Sequence, residues 1–254
     1  LNYHDTKLNT IDFLLTAERA LISDPVTRVG GEKTSCNIPT YEMLKGVLSS
    51  VYWKPTLIWI IDELRVMNSI MTESEGIRLL KYNDGGPDLS IYTYLKNVRY
   101  QVRAHFIWNE NRPELEGDRI SGKHYNIARR MIERGGRRDI FLGTRECQGY
   151  VEPCEFGSGE GAFDNTGTLD MGYMFHGFTY PDEAFRSGER EHLSVRFWHA
   201  SMVNGYVKFP APEDIEDKDR RVISEMTAKI FKNNRNFTGT AEPGLEQFAE
   251  EESQ

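Results

Sequence analysis

Between residues 98 and 108 the chain alternates with a period of two. Val98, Tyr100, Val102, Ala104, Phe106 and Trp108 are apolar, and Arg99, Gln101, Arg103 and His105 between them are polar or charged. Extended backbone sends successive side chains to opposite faces, so this stretch predicts a strand buried on one side. Such a strand needs neighbours to pair with and an apolar layer over its buried face, which limits what the flanking segments can be.

Those segments supply both. Ile11 to Ile22 carries enough apolar residues for a first strand, which Asp24-Pro25 ends because proline has no amide to donate to a ladder. Arg28 to Lys33, with Gly30-Gly31 inside it, reads as a loop. After Pro39-Thr40, the residues Tyr41, Leu44, Val47, Leu48 and Val51 recur at three- and four-residue steps, the stripe of an amphipathic helix that stops before Pro55. Leu57 to Met71 fits helix by spacing and strand by its Ile and Val content, and most of it is assigned to strand.

A second helix is expected over Lys123 to Arg134, where Tyr125, Ala128, Met131 and Ile132 share a face and Gly135-Gly136 offers a left-handed end. Ile140 to Val151 then reads as one more strand. The resulting order, strand, helix, strand, strand, helix, strand, predicts an α+β fold with a ferredoxin-like (RRM-like) βαββαβ domain over residues 1–155. Its helices would cover one face of an antiparallel sheet and leave the other free for binding.

Beyond Gly157 the texture changes to a glycine-rich loop followed by short strands. Asn204-Gly205, between Leu193 to Val203 and Tyr206 to Phe209, is a strong hairpin signal. These features predict a small antiparallel β domain over 156–232. From 233 to 254 polar and acidic residues dominate without periodicity, the pattern of a mobile acidic tail.

Composition narrows the function classes. The formal net charge of -8 argues against a general nucleic-acid binder, yet from Lys96 to Arg138 there are eleven Lys or Arg against five Asp or Glu. That basic middle can face phosphates, or it can simply be a solvated face. No run of about 20 apolar residues is present to span a bilayer, and the first residues lack the order of a signal peptide, so a cytoplasmic protein is expected. Cys36, Cys147 and Cys154 fit neither a disulfide framework nor a metal knuckle and are read as reduced thiols.

Two glycine patterns are decoys. Gly117, Gly122 and Lys123 spell GxxxxGK, but His124 stands where a phosphate loop needs Ser or Thr, and no apolar strand precedes it. The run from Gly157 to Gly161 lacks the strand before and the helix after it that a dinucleotide site requires. No cofactor is expected from either. Lys123-His124-Tyr125 is more informative, because unpaired amides at a helix start favour a bound phosphate beside a cation and a titratable imidazole. Taken alone, such a pair is more often a solvated helix terminus than a site.

The stretches DPVTRVGGEK, PTYEMLKGVLSSVYWKPT, GKHY, GGRRDIFLGTRECQGYVEPCEFGSG and MFHGFTYP, in that order, resemble the subtype I-C (Dvulg-type) CRISPR-associated Cas five family. The likeness runs from about Asp24 to Pro210. It implies a member of the repeat-associated RNA-binding superfamily with ferredoxin-like domains, which cuts precursor CRISPR RNA beside the repeat hairpin. The implied partners are that hairpin and the other subunits of a type I-C surveillance complex, with contact to double-stranded DNA left open. The family's catalytic tyrosine falls on Tyr52 in VYWKP, and its lysine and histidine fall on Lys123 and His124 in GKHY. By position alone, Tyr52 reads equally well as a packed residue at a helix end.

These residue types suit cleavage in which the RNA's own 2'-hydroxyl attacks the adjacent phosphate. That reaction needs a base, an acid for the leaving 5'-oxygen and a cation for the charged transition state. His124, of a type that titrates near pH 6.5, is the expected base, Lys123 the electrostatic stabiliser, and Tyr52 orients the nucleophile or shares proton transfer. The base and acid roles of Tyr52 and His124 are interchangeable at this level. No acidic cluster resembles a two-metal nuclease site, so no metal is expected, and the products would be a 2',3'-cyclic phosphate and a 5'-hydroxyl. Arg28, Lys33, Arg137 and Arg138 are candidate phosphate contacts, with surface solubility an almost equal explanation. Trp53, with Tyr52 and Tyr125, is a candidate for stacking on exposed bases, although a tryptophan there is as readily core. The competing reading is a noncatalytic subunit that binds the 5' handle of the guide RNA.

Overall fold

The computed structural model describes residues 9–23, 32–81, 85–120, 122–228, 230–232 and 235–237. Strands β1 (Thr10–Ala20) and β2 (Lys33–Thr34) precede helix α1 (Tyr41–Val51), which is followed by β3 (Leu57–Val66), β4 (Thr72–Leu80) and the 22-residue β5 (Pro87–Trp108). Helix α2 (Lys123–Glu133) leads into β6 (Ile140–Phe141) and β7 (Gln148–Pro153). Strands β8 (Thr168–Thr179), β9 (His192–Val203), β10 (Tyr206–Lys208), β11 (Arg220–Glu225), β12 (Ile230–Lys232) and β13 (Arg235–Phe237) complete the order. The fold is mixed α and β, dominated by an antiparallel sheet. Among the described residues no helix is long and apolar enough to cross a membrane.

The alternating stretch organises that sheet. Residues 98–108 form the second half of β5, paired antiparallel with β1 on one side and β3 on the other. The main sheet path is β11-β9-β10-β3-β5-β1-β7-β6, with β2 and β4 on the first half of β5 and β8 on β9. Asn97, in the left-handed region at φ 50, separates the two halves of β5, a conformation that asparagine tolerates better than most residues. The β4 pairing partner of that first half went unrecognised in the sequence, because Thr72 to Leu80 mixes charges and small residues without a clear period.

Helix α1 forms where its stripe predicts. Thr40 Oγ1 accepts the Met43 amide at 3.2 Å, and Tyr41, Leu44, Val47, Leu48 and Val51 are all buried. Each such side chain contributes about 1.5–3 kcal/mol of burial, which holds the helix on the sheet. It packs against β3, and α2 packs against β7 and β1. At Tyr52 the backbone turns extended (φ -159, ψ 127), so the chain leaves the helix toward Pro55.

Three expectations need correcting. Ile140 to Val151 is two short strands that pair with each other, because Gly143 (φ 97) folds the chain back. A Cβ there would sit 1.9 Å from the Leu21 carbonyl oxygen, so only glycine allows this approach. Strand β8 is 12 residues long rather than short, β9 spans the expected Leu193 to Val203, and β10 continues from β9 onto β3, so the sheet crosses the 155/156 boundary. The sheet face opposite the helices is partly covered, because Gln101 and Arg65 hydrogen-bond the Gly157 to Gly159 backbone. Asn204-Gly205 does make the tight turn into β10, with φ 49 and 84. Residues 238–254 of the expected tail lie outside the described residues, and β13 falls within its first part.

Candidate active site

Lys123 and His124 lie 71 and 72 positions after Tyr52 and come near it where the end of α1 faces the start of α2. The Tyr52 hydroxyl is 2.7 Å from His124 Nδ1. His124 Nε2 is 2.8 Å from the Asp118 backbone carbonyl. A carbonyl only accepts, so Nε2 carries the proton, Nδ1 presents its lone pair, and the Tyr52 hydroxyl donates to it. Lys123 Nζ is paired with Asp118 Oδ1, and Thr56 Oγ1 donates to Asp118 Oδ2 at 2.7 Å.

Local structure explains how each group is held. Gly122, left-handed at φ 71, caps α2 and lets the chain turn sharply into Lys123 and His124. The imidazole is 0 % exposed and sits edge-on to Trp108 at 5.5 Å and Phe106 at 6.2 Å, both from the end of β5. Tyr52 is 4 % exposed, and its carbonyl accepts the Trp59 indole N–H at 2.8 Å. The Lys123 side chain is 36 % exposed and is the member of the set that solvent reaches most easily.

Burial first, then the Asp118 charge, pushes the Tyr52 phenol up to about 12, with the Arg137 guanidinium opposing. Burial also pushes the Asp118 carboxyl up, but the hydrogen bonds from Lys123 and Thr56 and the nearby His124 and Lys123 outweigh it, leaving the group below the usual carboxylate range. Asp118 is therefore ionised at neutral pH, and Tyr52 is a neutral phenol. Among the described residues, no three His, Cys, Asp or Glu side chains gather as a metal site.

The other expected residues fall in three places. Arg137 and Arg138 are exposed and adjoin the site, because both backbone amides donate to the Ser50 carbonyl in the last turn of α1. Trp53 is half-buried beside Tyr52. Lys33 lies toward the opposite end of β5, with its ammonium 4.5 Å over the Tyr92 ring, and is not brought to the site. Arg28 lies outside the described residues. Sequence reasoning missed Asp118 and Thr56. Asp118 stands in a 3-10 turn, Pro113–Asp118, whose acidic residues carried no motif.

A profile of the family described as CRISPR-associated protein (Cas_Cas5) matches residues 10–210. The chain belongs to this family. Proteins named CRISPR pre-crRNA endoribonuclease Cas5d are similar to it. The one from Mannheimia succiniciproducens is 23% identical over 245 residues, covering 80% of this chain and 95% of that protein. The one from Thermus thermophilus is 24% identical over 212 residues, covering 76% and 88%. A crystal structure of a CRISPR-associated protein superposes with a TM-score of 0.68 at 33% identity, over 82% of this family member and 94% of that chain. A functionally uncharacterized protein from Streptococcus mutans gives 0.67 at 37% identity, over 82% and 95%.

Proposed function

We propose that this chain is an endoribonuclease that cleaves precursor CRISPR RNA within the repeat, beside the hairpin, and then stays in a surveillance complex assembled on the guide. The observation that carries the reading is the 2.7 Å contact between Tyr52 and His124 with Lys123 one residue away, in a Cas_Cas5 family member whose relatives are named pre-crRNA endoribonucleases.

The reaction follows from the tautomer. With both ring nitrogens of His124 engaged, the imidazole reaches RNA through Tyr52. A phenol near 12 is a poor free base at neutral pH, so its proton moves to His124 Nδ1 as the tyrosine oxygen takes the proton of the 2'-hydroxyl. The 2'-oxygen forms a bond to phosphorus, the bond to the 5'-oxygen breaks, and that oxygen takes a proton from the Lys123 ammonium or from water. Lys123 stabilises the charged phosphate. The products are a 2',3'-cyclic phosphate and a 5'-hydroxyl, and because the nucleophile is the RNA's own hydroxyl, no metal is required.

Arg137 and Arg138 are the nearest phosphate contacts, and Trp53 and Tyr125 are available for base stacking. Lys33 would touch RNA well away from the cut. We read β3-β5-β1-β7, with α1 and α2 packed on one side, as a ferredoxin-like arrangement. That strand order and the order of elements support the reading.

The test is incubation of the purified chain with labelled repeat RNA in EDTA, beside His124→Ala. A single cut at the hairpin base, ending in a cyclic phosphate and absent from the variant, is the expected result. Tight binding without any cut would instead assign the chain to a noncatalytic role on the 5' handle of the guide.

A further inference from the structure

We propose that Asp118 is a positioning residue for this cleavage: its backbone carbonyl fixes the His124 tautomer, its carboxylate steadies the charge His124 acquires, and it holds Lys123 until a phosphate takes its place. The inference rests on the reading of Tyr52, Lys123 and His124 as the cleavage residues.

Asp118 contacts two of the three groups assigned to the reaction, Lys123 and His124. Its carbonyl oxygen lies 2.8 Å from His124 Nε2, and its Oδ2 lies 3.5 Å from the same nitrogen. When the tyrosine proton moves onto Nδ1, the imidazole becomes a cation inside an apolar wall formed by Phe106 and Trp108. A carboxylate at that distance offsets the cost of the buried charge. Among the described residues, the titratable groups in contact with His124 are Tyr52 from the end of α1 and Asp118 from the turn, and Lys123 from its own helix pairs with that Asp118. Arg137, beyond α2, acts on Tyr52.

The same carboxylate neutralises Lys123. An ammonium that stabilises a phosphoryl transition state must exchange this partner for phosphate oxygens. Lys123 is the exposed end of the pair, so exchange on the solvent side needs no rearrangement of His124. Asp118 itself is anchored. Arg119 donates to the carbonyls of Asn109 and Arg112 at 2.9 and 3.3 Å, and Asn109 Nδ2 donates to those of Pro55 and Asp182 at 3.2 and 2.8 Å. The turn is thereby tied to both the chain leaving α1 and the segment after β8, which sets the acid against the histidine.

The experiment measures kcat and KM of the full chain on repeat RNA for Asp118→Asn and Asp118→Glu, with His124→Ala as reference. In Asp118→Asn, kcat is expected to fall at least about tenfold, with RNA affinity within about twofold of wild type. The loss should fall on kcat with KM unchanged, because the phosphate contacts are untouched. Asp118→Glu should recover part of kcat. Thr56→Val, which removes only the hydroxyl bonded to the carboxylate, should give a smaller change of the same sign and decides the matter if Asp118→Asn does not fold. Wild-type kcat, or a loss carried by KM with kcat unchanged, would overturn the role of Asp118 while leaving the cleavage reading intact. Full cleavage by His124→Ala would remove both.

Discussion

At the start of α1, Tyr41 stacks on His176 with ring centroids 4.2 Å apart; at its end, the Tyr52 hydroxyl meets His124. Both histidines are 0 % exposed, so burial does not tell them apart. Their partners do. His176 Nδ1 accepts from the Arg196 guanidinium at 3.3 Å, and its Nε2 donates to the Pro210 carbonyl at 3.1 Å. Burial first and the Arg196 charge next push its pKa down to about 2, and burial sends the Tyr41 phenol far above its ordinary value. Apart from the Pro210 carbonyl, which favours the protonated ring, the charges that act on His176 (Arg196, Arg220 and Lys45) oppose its protonation. His124 faces a phenol that can give a proton and a carboxylate that favours the cation. The first cluster, with Glu42 accepting the Phe178 amide at 2.9 Å and Lys45 paired with Glu183, ties α1 to β8 and the turn after it. The second is the set proposed to cut RNA.

The sharpest way to break this contrast is to remove the two hydroxyls separately. Tyr52→Phe is expected to lower the cleavage rate roughly 10²- to 10⁴-fold, the usual worth of a positioned proton-transfer group. Tyr41→Phe loses a 3.4 Å bond to the Trp59 carbonyl and should cut RNA at the wild-type rate, with a stability cost of about 1 kcal/mol. Equal effects on single-turnover cleavage would erase the distinction.

The next effect is on stability against pH. The folded value for His176 lies below the unfolded one near 6.5, so its contribution is complete above about pH 6.5 and is lost as pH falls toward 2. Over that window the loss reaches about 1.4 kcal/mol per pH unit for this one group. His176→Gln should flatten the acid side of the denaturation profile without touching the cleavage profile. An unchanged slope in urea melts would show that His176 is not what titrates.

The smallest effect expected is at Arg137. Arg137→Ala should leave the cut site unchanged, weaken RNA binding severalfold and reduce the salt slope of binding by about one. A loss of cleavage as deep as that of Tyr52→Phe would move Arg137 into the reaction itself.

The stripe of α1, the alternation of residues 98–108 and the Asn204-Gly205 turn were legible because each is a local pattern whose period or dihedral demand is written in adjacent residues. Tyr52, Lys123 and His124 were singled out by their residue types and by likeness to a family. Asp118 was not, since an acid in a short 3-10 turn looks like any solvated carboxylate until the fold sets it beside a histidine. The β4 strand and the long β8 were missed because charged edge residues and half-buried aromatics blur a period of two, whereas β9 was read within one residue of its start from its hairpin turn. The sequence by itself determined which segments are helix or central strand and which residue types are available for proton transfer. Only the tertiary structure decided that one buried histidine meets a phenol and a carboxylate and the other a guanidinium. Proton affinity depends on charges a few ångströms away in space, and those come from parts of the chain far apart along it.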